Sequence, residues 1–366
     1  MTVDNTMTER RLRWGILGTA RIARNLFIPG VRASTQGQVM AMASRDAARA
    51  RALAGEAGIQ RAYGSYDELL NDPDVDAVYI PLPNSLHAPW TIKAAQAGKH
   101  ILCEKPLARA AHGAQTMADA ADTAGVILME AFMWRHHPQH ARVRALIDAG
   151  DIGEPRMVRS SFTYLISPDP TNVRLQAVLE GGSLMDVGCY PVNVARWVFG
   201  VEPTDVVGRQ VVDPTYGVET TFSGILRFPG DRLALVDSSF AQAHQAEYEI
   251  VGTEGRIVVD RAFRPDAQPG RITIWRGSDQ RVEEVGPANQ FALEVDHFAA
   301  SVRAGRLLPP AENGVAQTRV IEALYLSASA ATNEPVPPGT VQRSVEMRDV
   351  GSADFGQTQR DDAAQC

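Results

Sequence analysis

Cysteine is scarce in this chain. Its 366 residues include three cysteines, Cys103, Cys189 and Cys366, and no two of them form a CxxC pair. An odd and scattered set of this size excludes a disulfide framework, and it indicates a reduced, intracellular protein. We therefore expect neither a structural zinc site nor another bound metal.

Long apolar runs and an excess of basic charge are also absent. No stretch approaches the roughly 20 apolar residues that a membrane-spanning helix needs. Arg10 and Arg11 are not followed by the apolar segment of a secretory signal. The net charge is −7, which argues against nucleic acid or an anionic membrane as a partner. We expect a cytoplasmic protein with a small-molecule substrate.

The residues that are present, 45% apolar and 22% charged, have the balance of a soluble globular protein, and the length predicts two domains. In the first part, helix-like segments alternate with strand-like runs at residues 12–17, 39–43, 75–80, 100–103 and 126–129. This alternation predicts a doubly wound α/β domain with a parallel sheet, which we place at residues 11–135.

The pattern changes after Pro138. Between residues 206 and 285, strand-like runs follow one another without intervening helices. Such a series predicts an α+β domain with an open, mainly antiparallel sheet. We assign residues 136–345 to this second domain, and we expect residues 1–10 and 351–366 to be disordered.

The first predicted strand ends in a glycine-containing turn, where a helix begins. A dinucleotide fold needs small residues at this turn, because the chain turns tightly and the backbone approaches the pyrophosphate. Gly18 and Ala23 fit, whereas Ala20 stands where a second glycine is usual. A ligand-free turn is the alternative, but the position at the first of several βα units favours binding. The predicted cofactor residues here are Gly18, Thr19, Ala20, Arg21 and Ile22.

The end of the second predicted strand indicates which nucleotide is bound. A carboxylate at this place would bind the adenosine ribose hydroxyls, but the chain has Ser44 and Arg45. A guanidinium suits the 2′-phosphate of NADP, because it is permanently charged and planar. The alternative is a solvated arginine at a strand end. We expect NADP(H) to be favoured over NAD(H).

Two further segments carry candidate catalytic residues. Glu104 and Lys105 follow the fourth predicted strand, and ligands of open α/β sheets bind beyond the carboxyl ends of the strands. In "EGGSLMDVGCYPVNVARW", a helix that begins after Ser183 would place Asp186 and Tyr190 on one face, with Ser183 and Asp186 as a capping box. If the helix begins at Pro191 instead, this geometry is lost.

Together, the glycine turn, Glu104-Lys105-Pro106 and the segment at residues 181–190 resemble the glucose-fructose oxidoreductase/inositol dehydrogenase family of nicotinamide-dependent sugar and polyol oxidoreductases. The sequence "PLPNSLH" at residues 81–87 is similar to the family's nicotinamide-side loop. The likeness spans about residues 11–330. It implies a Rossmann domain followed by an open antiparallel sheet, whose bare face forms the contact of a homodimer or homotetramer.

The resemblance also implies site residues. In the family, the lysine of Glu-Lys-Pro and an Asp-x-x-x-His pair form the catalytic group, and one branch, similar to glucose-fructose and dihydrodiol enzymes, has Tyr in place of His. This chain matches the Tyr branch with Lys105, Asp186 and Tyr190. Further predicted cofactor residues are Leu82, Pro83, Asn84, His87, Glu104, Lys105, Trp134 and Arg135.

Hydride transfer to or from a carbinol needs a partner for the hydroxyl proton. A phenol is too weak a base at neutral pH unless a nearby cation lowers its pKa. Our hypothesis is that Tyr190 is the general acid/base, that Lys105 tunes it and polarises the reacting oxygen, and that Asp186 orients the lysine or a substrate hydroxyl.

The resulting expectation is an NADP(H)-dependent oxidoreductase that transfers a hydride between the nicotinamide and a carbon of a sugar, polyol or related diol. Trans-dihydrodiol dehydrogenase and keto-sugar reductase are the alternatives among enzymes. A catalytically inactive, cofactor-binding regulator is the alternative outside them.

Overall fold

A computed structural model describes residues 10–265 and 268–330. The first sheet has six parallel strands in the order β3-β2-β1-β4-β5-β6. The strands are β1 (Leu12–Leu17), β2 (Gly37–Ala43), β3 (Arg61–Tyr63), β4 (Ala77–Ile80), β5 (His100–Glu104) and β6 (Leu128–Ala131). The helices are α1 (Ile28–Ala33), α2 (Ala47–Glu56), α3 (Tyr66–Leu70), α4 (His87–Gln96) and α5 (Ala111–Ala124). This is the predicted doubly wound arrangement.

The sequence predicts five of these six strands. β3 escapes prediction because it has three residues, all of them half-buried, at the edge of the sheet. β4, which lies between β1 and β5, is buried along its whole length, as expected when helices cover both faces. Such strands carry a continuous apolar signal, whereas a short edge strand carries almost none.

The second sheet has eight strands in the order β14-β13-β12-β11-β7-β10-β9-β8. They are β7 (Pro155–Leu165), β8 (Asp205–Val212), β9 (Glu219–Phe228), β10 (Arg232–Ser239), β11 (Ala241–Gly252), β12 (Gly255–Val259), β13 (Gly270–Arg276) and β14 (Asp279–Val285). All neighbours are antiparallel except β7 and β10. The prediction of an open, mainly antiparallel sheet is confirmed.

Four more α-helices of the described residues follow β6 in the chain: α6 (Pro138–Asp148), α7 (Cys189–Phe199), α8 (Gln290–Ala304) and α9 (Val315–Ala330). α7 packs on β7 and β10, and α9 packs on β8. α8 packs on the first domain instead, where the ring of Phe298 lies 5.0 Å from the ring of Trp14. The division into residues 11–135 and 136–345 stays a prediction. α8 shows that the chain returns to the first domain after completing the second sheet.

The two ends of the chain are predicted to be disordered, at residues 1–10 and 351–366. Residues 1–9 and 351–366 lie outside the described residues. Arg10 is described, and its guanidinium pairs with the Asp76 carboxylate at 2.9 Å. Within residues 10–265 and 268–330, no helix combines the length and the apolar character that crossing a membrane requires.

Candidate active site

A cleft of about 580 Å³ lies where the carboxyl ends of β1, β4 and β5 face the end of β7 and the loop that follows it. The first domain and the second domain both contribute polar side chains to its wall. From the first domain come Ala20, Arg21, Ile22, Pro83, Asn84, Glu104 and Lys105; from the second come Tyr164, Asp169, Asn172, Arg174 and Asp186. The cleft therefore unites residues from segments as distant in the sequence as Ala20 and Asp186.

The turn after β1 has the geometry that a phosphate-binding loop needs. Gly18 has a φ of 114°, a conformation that favours glycine, and its N–H donates to the Ala43 carbonyl at 2.9 Å. A Cβ at Gly18 would lie 3.0 Å from Leu82 Cδ2, so this turn also needs the missing side chain for space. The helical segment that follows begins at Arg21 beside the cleft, passes through a π-helical turn at Ala23–Phe27 and continues as α1. Ala20 is on the cleft wall, and Ala23 is fully buried against the sheet. The residues fit a dinucleotide pyrophosphate at the helix N-terminus.

The carboxyl end of β2 carries a cluster of positive charge. Arg45 is exposed, whereas the Ser44 hydroxyl is buried and accepts from the Asp46 N–H at 3.2 Å. Burial raises the pKa of Tyr66, and the hydrogen bond and charge of Arg45 and the charge of Arg49 oppose that rise. Arg49 was not predicted. Arg45 precedes α2 and Arg49 lies in the first turn of that helix, so the signal is a second arginine close to Arg45 in the sequence.

Lys105 reaches across the cleft to the second domain. Its Nζ donates to the main-chain carbonyl of Asp186 at 2.5 Å and lies 3.7 Å from Asp186 Oδ1. The lysine is 6% exposed. A largely buried ammonium group next to a carboxylate is therefore held at the point where the cofactor-binding edge of the sheet meets the second domain.

The Asp186 carboxylate has two further partners. Tyr164 donates its hydroxyl to Oδ2 at 2.8 Å, and Arg174 donates its Nε to the same oxygen at 2.8 Å. Burial by itself raises the pKa of the Asp186 carboxyl. The charges of Arg174 and Lys105 and the hydrogen bonds from Tyr164 and Arg174 outweigh it, so the pKa lies below its usual value. Asp186 is thus a charged carboxylate at neutral pH.

Tyr190 lies one layer deeper than Lys105 and Asp186. Its ring packs among Phe132, Phe162 and Phe263, with centroids 5.0 to 5.4 Å apart, and the residue is 1% exposed. Lys105 Nζ lies 5.0 Å from the centroid of the ring. The hydroxyl contacts the Met133 sulfur at 3.5 Å. The lysine therefore stands between Tyr190 and the cleft.

The helix that carries these residues differs from the predicted one. Leu184–Gly188 is π-helical, and the α-helix α7 begins only at Cys189, so Asp186 and Tyr190 are not related by an α-helical i, i+4 spacing. Such single π turns occur often at functional sites. Ser183 makes no capping bond through its side chain, and the predicted capping box is wrong.

Glu219 of β9 takes over the capping role. Its carboxylate accepts from the Leu184 N–H at 3.0 Å. A Cβ on Gly182 would lie 2.3 Å from this carboxylate, and Gly182 has a φ of 118°. The second glycine of the Gly-Gly pair is thus required both for conformation and for space.

Glu104, the neighbour of Lys105, lines the cleft, and the pKa of its carboxyl group is raised. Tyr79 donates its hydroxyl to Glu104 Oε1. Burial raises the pKa of Glu104, and the charge of Lys105 opposes the rise only in part. Of the two carboxyl groups near the lysine, Asp186 therefore holds its negative charge more strongly.

Three residues predicted to contact the cofactor lie behind the cleft wall. The two ring nitrogens of His87 are each 2.9 Å from a main-chain carbonyl, one of Leu82 and one of Pro106. Trp134 is fully buried, with its ring edge-on to the Trp197 ring. Arg135 Nε donates to Asn193 at 2.8 Å. His87 holds two cleft loops together, whereas Trp134 and Arg135 belong to the packing between the domains.

Asn84, which the sequence predicts to contact the cofactor, lines the cleft, and its side-chain amide donates to the Glu180 carbonyl at 2.7 Å. Arg174 and Tyr164, by contrast, were not predicted as site residues. Arg174 lies on an irregular loop with no periodic signal, and Tyr164 reads as one more aromatic residue in a strand. Only the packing of the loop on the helix shows that both reach Asp186.

Comparison with known proteins identifies the family. Residues 12–132 match the oxidoreductase family with an NAD-binding Rossmann fold, and residues 140–258 match the Gfo/Idh/MocA C-terminal domain. The chain belongs to the Gfo/Idh/MocA oxidoreductase family. This is the glucose-fructose oxidoreductase/inositol dehydrogenase family that the motifs resemble.

Relatives in this family share most of the chain. D-xylose 1-dehydrogenase (NADP+) 2 from Haloferax volcanii is 41% identical over 320 residues, 87% of this chain and 97% of that protein. A trans-1,2-dihydrobenzene-1,2-diol dehydrogenase from Xenopus laevis is 36% identical over 68% of this chain and 74% of that protein. The crystal structure of the 3-ketoreductase KijD10 from Actinomadura kijaniata with NADP and TDP-benzene has a TM-score of 0.82 at 33% identity, covering 87% of this chain and 98% of that one. The predicted family and oxidoreductase class are confirmed.

Proposed function

We propose that this Gfo/Idh/MocA protein is an NADP(H)-dependent oxidoreductase acting on a carbinol or carbonyl carbon of a sugar, polyol or related diol. The observation that carries the proposal is the meeting of Lys105 and Asp186 across the cleft, beside the glycine turn that fits a dinucleotide. The NADP-dependent xylose dehydrogenase and the NADP complex of the ketoreductase support it.

NADP(H), when bound, supplies or accepts the hydride at its nicotinamide ring. Gly18, Ala20 and Arg21 would hold the pyrophosphate at the helix N-terminus, and Asn84 and Glu104 line the part of the cleft that leads to Lys105. Lys105 binds the reacting oxygen through Nζ and stabilises negative charge that develops on it. Because Lys105 is largely buried, this interaction is stronger than in bulk water.

The hydroxyl proton of a carbinol substrate needs a path away from the reacting oxygen. We assign Tyr190 to this step as general acid/base, with Lys105 between it and the cleft as the neighbouring cation. A nearby cation favours the phenolate, so that at neutral pH more of the tyrosine is in the form that can accept a proton. Asp186 fixes the position of Lys105 by its carbonyl and its carboxylate.

Two further activities belong in the same test. Dihydrodiol dehydrogenation is favoured by the relative from Xenopus laevis, and keto-sugar reduction by the structural neighbour KijD10. A panel of D-xylose and other aldoses, polyols, a trans-dihydrodiol and a keto sugar, assayed at 340 nm with NADP+ or NADPH, separates the three. Tight NADPH binding without turnover of any of them would instead favour an inactive, cofactor-binding regulator.

Nucleotide preference provides the first quantitative prediction. In the Arg45→Ala variant we expect affinity for NADPH to fall about 10- to 100-fold while affinity for NADH stays the same. The reason is that a hydrogen bond to a charged group contributes about 1.5–3 kcal/mol. The same change at Arg49 should give a selective but smaller loss. Fluorescence titration with both nucleotides measures these effects.

Arg142→Ala is the matched control, because Arg142 pairs with Glu283 on the surface at 2.6 Å. It should bind both nucleotides like the unmodified protein. Equal losses for NADPH and NADH in Arg45→Ala would contradict a 2′-phosphate site at this arginine.

Among residues 10–265 and 268–330, one face of the second sheet is uncovered, and this supports the proposal that two copies associate there. Val207, Ile225 and Leu235 stand side by side on β8, β9 and β10, and they are 48%, 45% and 37% exposed. A contiguous apolar row on an open sheet face marks a contact surface. We expect Ile225→Asp to shift the protein toward monomers in sedimentation velocity experiments.

Leu326→Asp is the control for this prediction. Leu326 is 66% exposed but lies on α9, on the covered side of the sheet. This variant should sediment like the unmodified protein. An Ile225→Asp protein with unchanged sedimentation would exclude the sheet face as the contact.

A cytoplasmic location also remains a proposal. It is supported by Cys103 and Cys189, which are both buried free thiols. Fractionation of cells that produce the protein tests it, and recovery in an extracytoplasmic fraction would contradict it.

A further inference from the structure

The loop between β7 and the π-helical turn places Arg174 in the candidate active site. Asn172 caps a single helical turn by accepting from the Arg174 N–H at 3.1 Å, and the Arg174 carbonyl accepts from the Gly182 N–H at 2.9 Å. A Cβ on Gly181 would lie 2.3 Å from that carbonyl. The absence of a side chain at Gly181 therefore lets the loop close onto the helix that carries Asp186.

The result is a set of contacts that surrounds one carboxylate from three elements. Arg174 comes from the loop, Tyr164 from the end of β7 and Lys105 from the loop after β5. Arg174 and Tyr164 share Oδ2, each at 2.8 Å, while Lys105 approaches Oδ1. Oδ2 thus faces the loop and β7, whereas Oδ1 faces Lys105.

We propose that Arg174 and Tyr164 are positioning residues that clamp Oδ2 of Asp186, so that the carboxylate stays charged with Oδ1 turned to Lys105. This inference deepens the proposed function and rests on it, since Asp186 matters here because it orients Lys105. Without the clamp, the carboxylate lies in a mostly buried site with one cation instead of two. Such a carboxylate takes up a proton more readily.

The pH consequence follows from the direction of the shift. The pKa of Asp186 is lowered, so its charge is present at neutral pH and is lost as the pH falls through that lowered pKa. Removing Arg174 moves this loss to higher pH. An opposite charge at hydrogen-bond distance shifts a carboxyl pKa by about 1–3 units, so we expect an upward change of at least about one unit in Arg174→Gln.

The other ionisable groups around Asp186 are Glu104, Cys189 and His87. Glu104 lines the same cleft, Cys189 follows on the same helix with its Sγ 3.6 Å from the Asp186 carbonyl, and His87 lies behind Lys105. The same three side chains are present in the unmodified protein and in a variant at Arg174. The difference between the two titrations therefore reports the clamp.

The scarcity of lysine makes a substrate-free measurement practical. The chain has three lysines, Lys93, Lys99 and Lys105. Full-length protein labelled with 13C at the lysine ε-carbons gives three ε-methylene signals, which Lys93→Arg and Lys105→Arg assign. The Lys105 signal, followed from pH 8 to pH 4.5, responds when the neighbouring carboxylate gains a proton.

In the unmodified protein the Lys105 signal should change over this range only as Glu104, whose pKa is raised, takes up its proton. In Arg174→Gln a further change should begin about one pH unit or more above the pH at which Asp186 of the unmodified protein takes up its proton, and Tyr164→Phe should show a smaller change of the same sign. Arg174→Lys keeps a cation and should restore most of the original behaviour. Arg142→Gln, which breaks a surface pair with Glu283, should match the unmodified protein.

A Lys105 trace in Arg174→Gln that superimposes on the original would overturn the inference. If Arg174→Gln does not fold, Tyr164→Phe decides, and an unchanged trace in that variant overturns it as well. These outcomes are independent of turnover. If the protein binds no NADPH and converts no sugar, the proposed function is contradicted, but the Lys105 titration can still be measured. If the enzyme is active and the Lys105 traces of the variants do not shift, only the clamp is contradicted.

Discussion

The Lys105→Ala enzyme should lose about a thousandfold or more in kcat while it still binds NADPH. In the proposed mechanism the Lys105 ammonium group faces the reacting oxygen. Its Nζ lies 3.7 Å from Asp186 Oδ1, and the residue is 6% exposed. A preorganised charge in such a site typically contributes two to three orders of magnitude, and loss of assisted proton transfer adds to this. Steady-state kinetics with the best substrate of the panel, together with NADPH titration, measure both quantities.

Lys93→Ala is the matched control for this prediction. Lys93 is an exposed lysine that pairs with Asp67 at 2.9 Å on the outside of the first domain. Its removal should leave kcat unchanged. A Lys105→Ala enzyme that keeps more than a tenth of the original kcat would show that the lysine does not assist the chemical step.

Tyr190→Phe is expected to lower kcat by about a hundredfold or more with little change in NADPH affinity. Phenylalanine keeps the ring that packs among Phe132, Phe162 and Phe263, and it removes only the hydroxyl. The hydroxyl contacts the Met133 sulfur, and the loss of one hydrogen bond typically costs about 0.5–1.5 kcal/mol, so we expect the free energy of unfolding to fall by about this amount. A loss of activity with retained stability would identify a chemical role.

The measurement combines kinetics with thermal or denaturant unfolding of the same samples. Near-original turnover in Tyr190→Phe would mean that Tyr190 is a wall residue of the core and that proton transfer uses Lys105 with another partner. Tyr164→Phe distinguishes this case further, because the Tyr164 hydroxyl lies in the cleft and donates to Asp186.

Particular elements show which parts of the fold are readable in the sequence. The inner strand β4 of the first sheet is apolar along its whole length because helices bury both faces, and the series of strands after residue 205 lacks any helical period. β3, by contrast, has three half-buried residues, and nothing in its local sequence separates it from a loop.

The candidate site divides in the same way. Lys105 and Asp186 were found because each stands in a short motif whose local structure fixes its place, one after a buried strand and one after a Gly-Gly turn. His87 and Arg135 also stand near motifs, but long-range contacts with main-chain carbonyls and with Asn193 turn their side chains away from the cleft. Spacing along the chain does not encode these partners.

The sequence by itself thus determined the two-domain architecture, the dinucleotide turn, the family and the two charged residues that meet in the cleft. Only the tertiary structure decided that the helix at Asp186 is π-helical, that Glu219 caps it, and that Arg174 and Tyr164 hold its carboxylate. The physical reason is that periodicity and turn chemistry act over a few neighbouring residues. The charge state and orientation of a buried carboxylate depend instead on groups that the fold brings together from distant segments.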